Sequence, residues 1–200
     1  MNTLHYIFDP LCGWCYAAAP LIDAARQAGL RIELHAGGLW TGANVKHVTP
    51  QLRQYVMSND QRIAQLTGQP FGDAYFDGLL NDSSAVLDSE PPIRAIIAAG
   101  DLGLDMLHHI QQAHFVEGLH ISRFETLSTI AQKLGLNTNE FRTAYDAVDF
   151  NAAITATHAL MTAHGAQGYP TLLINQQRID HSQFYGHAAE FGAALESLRA

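Results

Sequence analysis

The sequence predicts an α/β protein with strands near both ends of the chain and helices through its middle. Three features point to this. Residues 4–36 pattern as strand, helix and strand. Residues from about 40 to 165 carry helical apolar periodicity and no convincing strand. After Gly165 a strand hairpin and an amphipathic helix close the chain. At 200 residues, one domain, or one domain with an insertion, is expected, with enough chain to bury a full core.

Residues 4–8, Leu-His-Tyr-Ile-Phe, have the aromatic and β-branched content of a strand, and Asp9-Pro10 breaks it. The Ala-rich stretch 16–25 favours helix, Pro20 allows a kink, and Gly29 ends it. Residues 31–36 alternate like a second strand. Strand, helix and strand within some thirty residues make a βαβ unit, hence a parallel pair with a right-handed crossover. Helices are then expected over 52–66, 93–99, 106–115, 126–134 and 140–161, separated by Gly-, Pro- and Asn-containing breaks. Ser89-Glu90-Pro91-Pro92 looks like a helix start, with a capping residue, an early acid and an early proline. Residues 171–174 read as a strand, 175–177 as a turn and 178–180 as a short second strand. The helix over 187–198 places Phe191, Leu195 and Leu198 on one stripe. The two ends can therefore share a sheet of about four strands. The expected division is a discontinuous α/β domain of residues 1–39 and 166–200, with residues 40–165 as an all-helical insertion domain.

Composition narrows the function. Hydrophobic residues make up 48% and charged residues 15%, which fits a folded globular chain. Eleven Lys and Arg against nineteen Asp and Glu leave a net charge of −8, which disfavours nucleic acid and anionic membrane surfaces as partners. No apolar run approaches the roughly 18–20 residues of a membrane span. The start, Met1-Asn2-Thr3-Leu4-His5, has no basic segment followed by an apolar one, so a cytoplasmic protein is expected.

The only cysteines are Cys12 and Cys15, too few and too close for a disulfide framework. Their chemistry is more telling. A CxxC that opens a helix just after a strand puts the first thiol among unpaired N–H groups at the positive end of the helix. That environment is expected to lower the pKa of Cys12 and make it a thiolate nucleophile. Cys15, one turn later, can resolve a mixed disulfide formed at Cys12. Zinc usually needs four ligands, and there is no second CxxC. The second chemical motif is Gly168-Tyr169-Pro170-Thr171, whose proline stands at a strand's start, where no ladder donor is required.

Phe8-Asp9-Pro10-Leu11-Cys12-Gly13-Trp14-Cys15-Tyr16, together with Gly168-Tyr169-Pro170-Thr171, resembles the DsbA-like branch of the thioredoxin superfamily. Within it the chain is similar to the FrnE-type, predicted protein-disulfide isomerase group. Gly37-Gly38-Leu39, Asp88-Ser89-Glu90-Pro91 and the segment 112–118 match its landmarks. The resemblance implies a thioredoxin fold, βαβ…ββα, interrupted by a helical domain. It also implies Cys12 as nucleophile, Cys15 as resolving thiol and Pro170 as a cis-proline lying against the dithiol. Gly13, Trp14, Tyr169 and Pro170 are then the expected substrate-facing residues.

The chain departs from that pattern in three places. Many such oxidoreductases carry a buried acid six residues before the first cysteine, where this chain has Tyr6, so Asp9, His5 or water must handle the Cys15 proton. The dipeptide between the cysteines is Gly13-Trp14, so the redox poise cannot be copied from relatives. Tyr169 is bulkier than the residues usual before the cis-proline and is expected to narrow the choice of substrate.

His114, Glu117 and His120 fall at i, i+3 and i+6, but surface histidines explain them more simply, and no metal is expected. Trp14 is expected beside the thiol, Trp40 as a lid or packing residue, and Phe71, Tyr75, Phe76, Leu79 and Leu80 as helical core. No nucleotide-binding signature occurs. The function expected first is a thiol–disulfide oxidoreductase of the reductase or isomerase type. It would act on protein or small-molecule disulfides and dithiols, with no bound cofactor and glutathione as a redox partner. Two alternatives remain open: a glutathione-dependent isomerase or transferase, and a non-catalytic adaptor with a redox-sensing CxxC. The oligomeric state is not readable from the sequence.

Overall fold

The structure, a computed structural model, describes residues 3–197. In chain order, the first half holds β1 (Thr3–Phe8), α1 (Gly13–Gln27), β2 (Arg31–Ala36), β3 (Lys46–His47), α2 (Pro50–Thr67), β4 (Val86–Leu87) and α3 (Glu90–Ala98). The second half holds α4 (Gly103–Phe115), α5 (Phe124–Lys133), α6 (Thr138–Ala147), α7 (Phe150–Ala163), β5 (Thr171–Ile174), β6 (Gln177–Arg178) and α8 (Ala188–Ser197). The main sheet has the order β2-β1-β5-β6. The β1–β2 pair is parallel, as the βαβ unit requires, and β1–β5 and β5–β6 are antiparallel. This is the βαβ…ββα arrangement of the thioredoxin fold, with a long helical stretch between β2 and β5.

Alternation along β1 sorts its side chains. Leu4, Tyr6 and Phe8 are fully buried, and Tyr6 and Phe8 stack at 5.2 Å on the face that meets α1. The α1 helix packs against α8 and against α2 and α4, which seats it between the sheet and the helical stretch. It runs through Pro20, which has no N–H to offer the Tyr16 carbonyl one turn back. That carbonyl instead accepts the Gln69 side-chain amide at 3.3 Å, so the loop after α2 closes the gap. Phe191 and Leu195 of α8 are buried; Leu198, expected on the same stripe, lies outside the described residues.

The structure corrects four sequence expectations. The middle region does contain a strand pair, β3 with β4, with Lys46 opposite Leu87 and His47 opposite Val86. Two residues per strand are too few to show alternation. The helix expected over 140–161 is two helices, because Val148 is extended and the Asp149 carboxylate caps α7 by accepting from the Ala152 amide at 2.9 Å. The freed Val148 carbonyl accepts from Arg94 at 2.8 Å. The β5–β6 turn is only Asn175-Gln176, both at positive φ (50° and 63°) as a two-residue type I′ hairpin demands, so β6 begins at Gln177. Finally, Ser89 precedes α3 but its side chain does not cap it.

Candidate active site

The site forms where β1 hands the chain to α1. The Asp9-Pro10-Leu11 turn closes with the Cys12 amide donating to the Asp9 carbonyl at 3.1 Å. Cys12 is the cap residue of α1, with extended backbone (φ −87°, ψ 115°), and no acid lies in the first turn. Its thiol therefore sits where the helix presents its unpaired N–H groups. Both thiols are free. Cys12 retains 8% exposure and its Sγ lies 3.7 Å from the Tyr169 carbonyl, whereas Cys15 has none. Burial pushes the Cys15 thiol well above its ordinary value. The neighbouring Cys12 and the charge of Asp9 raise it further, and the Asp9 backbone N–H works the other way.

Of the groups expected to stand in for the missing strand acid, Asp9 is the one at the dithiol. Tyr6 donates its hydroxyl to the Cys15 carbonyl at 3.0 Å, tying strand to helix. His5 points to His35 and Glu33 instead. Asp9 is fully buried, and its carboxylate accepts from the Leu11 amide (2.9 Å), the Leu39 amide (2.6 Å) and the Ser89 hydroxyl (3.0 Å). Burial raises it to about 6, against the pull of those donors. Asp9 thus pins together the turn before the dithiol, the loop after β2 and the start of α3. The Ser89 hydroxyl that fails to cap α3 is spent on this contact.

One wall of the site carries the second motif. The Tyr169–Pro170 peptide is cis. The Tyr169 ring lies over Gly37, so close that a Cβ there would run into it, and its hydroxyl donates to the Gly37 carbonyl at 2.9 Å. Burial raises the Tyr169 phenol to about 12. Trp14, Tyr169, Pro170, His181 and Tyr185 border a cavity of about 450 Å³. The Trp14 and Tyr185 rings lie 5.2 Å apart, and the Tyr185 hydroxyl donates to the Trp14 carbonyl at 3.3 Å.

The opposite wall comes from the helical stretch. A cavity of about 320 Å³ is bordered by Cys12, Trp14, Trp40, Tyr55, Asn59 and Asp60 among others. Asp60 of α2 is only 5% exposed and accepts from the Tyr75 hydroxyl at 2.7 Å; burial raises it to about 6. Its carboxylate and Ile63 occupy the space a Cβ on Gly13 would need. That gives a steric reason for glycine after the first cysteine.

All six candidates, Cys12, Gly13, Trp14, Cys15, Tyr169 and Pro170, meet at this one place. Trp14 stands between the two cavities, and Trp40 borders the second. Sequence reasoning missed Ser89, Asp60 and Tyr185, which lie 77, 48 and 173 positions from Cys12 (89 − 12, 60 − 12, 185 − 12) and carry no local motif. His114, Glu117 and His120 form no metal cluster among the described residues. His114 is not the surface histidine expected: it is buried against Tyr75 and Phe115 and held down to about 3 by burial, while His120 pairs with Asp82 at 3.0 Å. Phe71, Tyr75 and Phe115 cluster with Tyr16 beneath the site, although residues 74–81 are π- and 3₁₀-helical turns.

The family model of the DSBA-like thioredoxin domain matches residues 3–191. The cytosolic disulfide reductase DsbM from Pseudomonas aeruginosa is 44% identical with a TM-score of 0.91, covering 98% of both chains. A structure of the same reductase with GSH is 43% identical with a TM-score of 0.91, covering 99% of this chain and 100% of that one. A 2-hydroxychromene-2-carboxylate isomerase shares the fold at 18% identity and a TM-score of 0.67, covering 98% of both chains. No curated protein sequence matches the chain.

Proposed function

Since the chain belongs to the DSBA-like thioredoxin-domain family, we propose that it reduces disulfides through Cys12 and Cys15 and is itself recharged by glutathione. It is a thiol–disulfide oxidoreductase, and its substrates are disulfides and thiols. One observation carries the finer reading. Cys12 is the more exposed thiol, at a helix N-terminus and 3.7 Å from the carbonyl before the cis-proline, with Cys15 buried behind it.

In the proposed cycle, the Cys12 thiolate attacks one sulfur of a substrate disulfide. An S–S bond to Cys12 forms, the substrate's own S–S bond breaks, and the other sulfur leaves as a thiolate. Cys15 then loses its proton and attacks the Cys12 sulfur, which releases the second substrate thiol and leaves a Cys12–Cys15 disulfide. One glutathione thiolate reopens that bond by attack on Cys12. That attack expels the Cys15 thiolate and leaves Cys12 bonded to glutathione; a second glutathione thiolate attacks the glutathione sulfur of this mixed disulfide, so the Cys12–glutathione bond breaks, oxidised glutathione departs and the Cys12 thiolate is restored. The Asp9 carboxylate, held by the Leu11, Leu39 and Ser89 donors, is close enough for its charge to act on the Cys15 thiol and is the group we assign to taking its proton.

In this reading, residues 1–39 and 166–200 bear the dithiol, and residues 40–165 supply the second wall of the groove. The site of action proposed is the cytosol, after the similar Pseudomonas aeruginosa reductase; among the described residues, no helix is long and apolar enough to cross a membrane. Trapping is the direct test. Cys15→Ser should accumulate a mixed disulfide with substrate or glutathione at Cys12, and Cys12→Ser should abolish exchange. Absence of any adduct on Cys15→Ser removes Cys12 as the nucleophile. Full turnover by Cys15→Ser would favour the isomerase or transferase alternative. The reductase reading also expects a Cys12–Cys15 reduction potential of about −270 mV or lower.

A further inference from the structure

A second cluster of chemically competent side chains lies on the other face of the sheet. Parallel pairing sets His5 of β1 opposite Glu33 of β2, and His35 follows Glu33 by two residues. All three side chains therefore leave the same face of two neighbouring strands. That face is turned away from α1, because Tyr6, the neighbour of His5, reaches the Cys15 carbonyl from the other side. The donor atoms converge. His5 Nδ1 and His35 Nε2 are 3.0 Å apart, His35 Nε2 is 3.7 Å from one Glu33 oxygen, and His5 Nδ1 is 3.9 Å from the other.

These separations can be compared with the geometry of a tetrahedral ion. With metal–ligand bonds of about 2.1 Å, two tetrahedral ligands stand about 3.4 Å apart. The His5–His35 and His35–Glu33 separations straddle that value, and one ligand atom from each of the three residues lies within 4.8 Å of the other two. The three side chains are 30%, 39% and 19% exposed, so an ion has access from solvent. The Arg31 guanidinium holds one Glu33 oxygen at 3.0 Å, which orients the carboxylate as an outer-shell partner does. The other oxygen faces His35.

We infer that His5, Glu33 and His35 form a binding site for a divalent transition-metal ion of the zinc class. Two imidazole nitrogens and one carboxylate oxygen suit zinc, copper(II) or nickel(II) rather than calcium or magnesium, which prefer all-oxygen sets. Three protein ligands leave a fourth position for water or an exogenous ligand. An ion here would clamp β2, the strand at one end of the main sheet, to β1. The site shares no residue with the dithiol and is independent of the reductase reading.

The test uses tag-free, full-length protein with the Cys12–Cys15 disulfide closed, so that the thiols do not compete. Zinc chloride alone is titrated calorimetrically, with cobalt(II) absorption as a second signal. One equivalent of zinc is expected in the wild type and in the Cys12→Ser/Cys15→Ser double variant. His35→Ala and Glu33→Gln each remove a ligand and should weaken binding by more than the roughly ten- to a hundredfold that loss of an outer-shell partner costs. Zinc should also raise the melting temperature of the wild type and leave that of His35→Ala unmoved. If His35→Ala folds poorly, Glu33→Gln, which keeps the side chain's shape, carries the same comparison. The inference is overturned if the oxidised wild type takes up no zinc. It is equally overturned if uptake is lost in the dithiol variant and kept in His35→Ala and Glu33→Gln.

Discussion

Replacing Asp9 by asparagine removes a buried charge without changing the shape of the side chain. Burial raises the Asp9 carboxyl from 3.8 to about 6, so its ionised form is less comfortable in the folded protein than in the unfolded chain. The sign follows from that direction. The favourable contribution of Asp9 is complete below the unfolded value and is lost as the pH rises through the folded one. Above pH 6 the loss amounts to about 3 kcal/mol, and about 1.4 kcal/mol of it falls between about pH 5 and about pH 7.5. The side-chain amide of Asp9→Asn does not titrate, so the variant escapes this loss. It bears a fixed cost of about 1–3 kcal/mol, because an amide cannot satisfy the Leu11, Leu39 and Ser89 donors as a carboxylate does. Urea unfolding of both proteins at the two pH values measures the difference. The stability of Asp9→Asn relative to wild type should rise by about 1.4 kcal/mol from about pH 5 to about pH 7.5. Asp60 and His114 also titrate abnormally but are present in both proteins and cancel. A difference that stays constant with pH would refute the assignment of a raised Asp9. A companion readout is the Cys15 thiol, which should titrate at lower pH in Asp9→Asn because a charge that opposes its ionisation is gone.

Three further substitutions probe the frame around the dithiol. Gly37→Ala drives a Cβ into the Tyr169 ring; it should cost about 1–3 kcal/mol in urea unfolding and slow disulfide exchange, because the Tyr169 carbonyl beside Cys12 must shift. Ser89→Ala removes one of the donors that hold Asp9 down, so stability should fall by about 1–3 kcal/mol and the Asp9 titration should move further up, as read by carboxyl NMR. Gln69→Ala leaves the Tyr16 carbonyl without its partner, because Pro20 cannot donate, and should lower stability by about 1–3 kcal/mol with both thiols still present and reactive toward Ellman's reagent.

The candidate dithiol site was legible from local chemistry. Cys12 and Cys15 are close in sequence, a strand and a helix flank them, and those elements follow from nearest-neighbour patterns. The main strands were legible for the same reason, since β1, β2 and β5 each run four residues or more. The β3–β4 pair was not, because two residues show no period. The break at Val148-Asp149 was hidden because both flanking helices keep apolar periodicity, and only the Asp149 cap and the Arg94 contact end one and start the next.

Residue types and short spacings by themselves determined the dithiol, the order of the strands along the chain and the helical character of the middle, because those depend on interactions between neighbours in sequence. Tertiary structure alone decided what surrounds the dithiol. A buried carboxylate finds its donors wherever the fold brings them, and Asp9 finds Leu39 and Ser89, 30 and 80 residues away. Asp60 reaches Gly13 from α2 in the same way, and His5, Glu33 and His35 become a cluster only when β1 and β2 pair in this register. Burial and hydrogen bonding act through space, so the charge around Cys15 and the convergence of that cluster exist only in the folded chain.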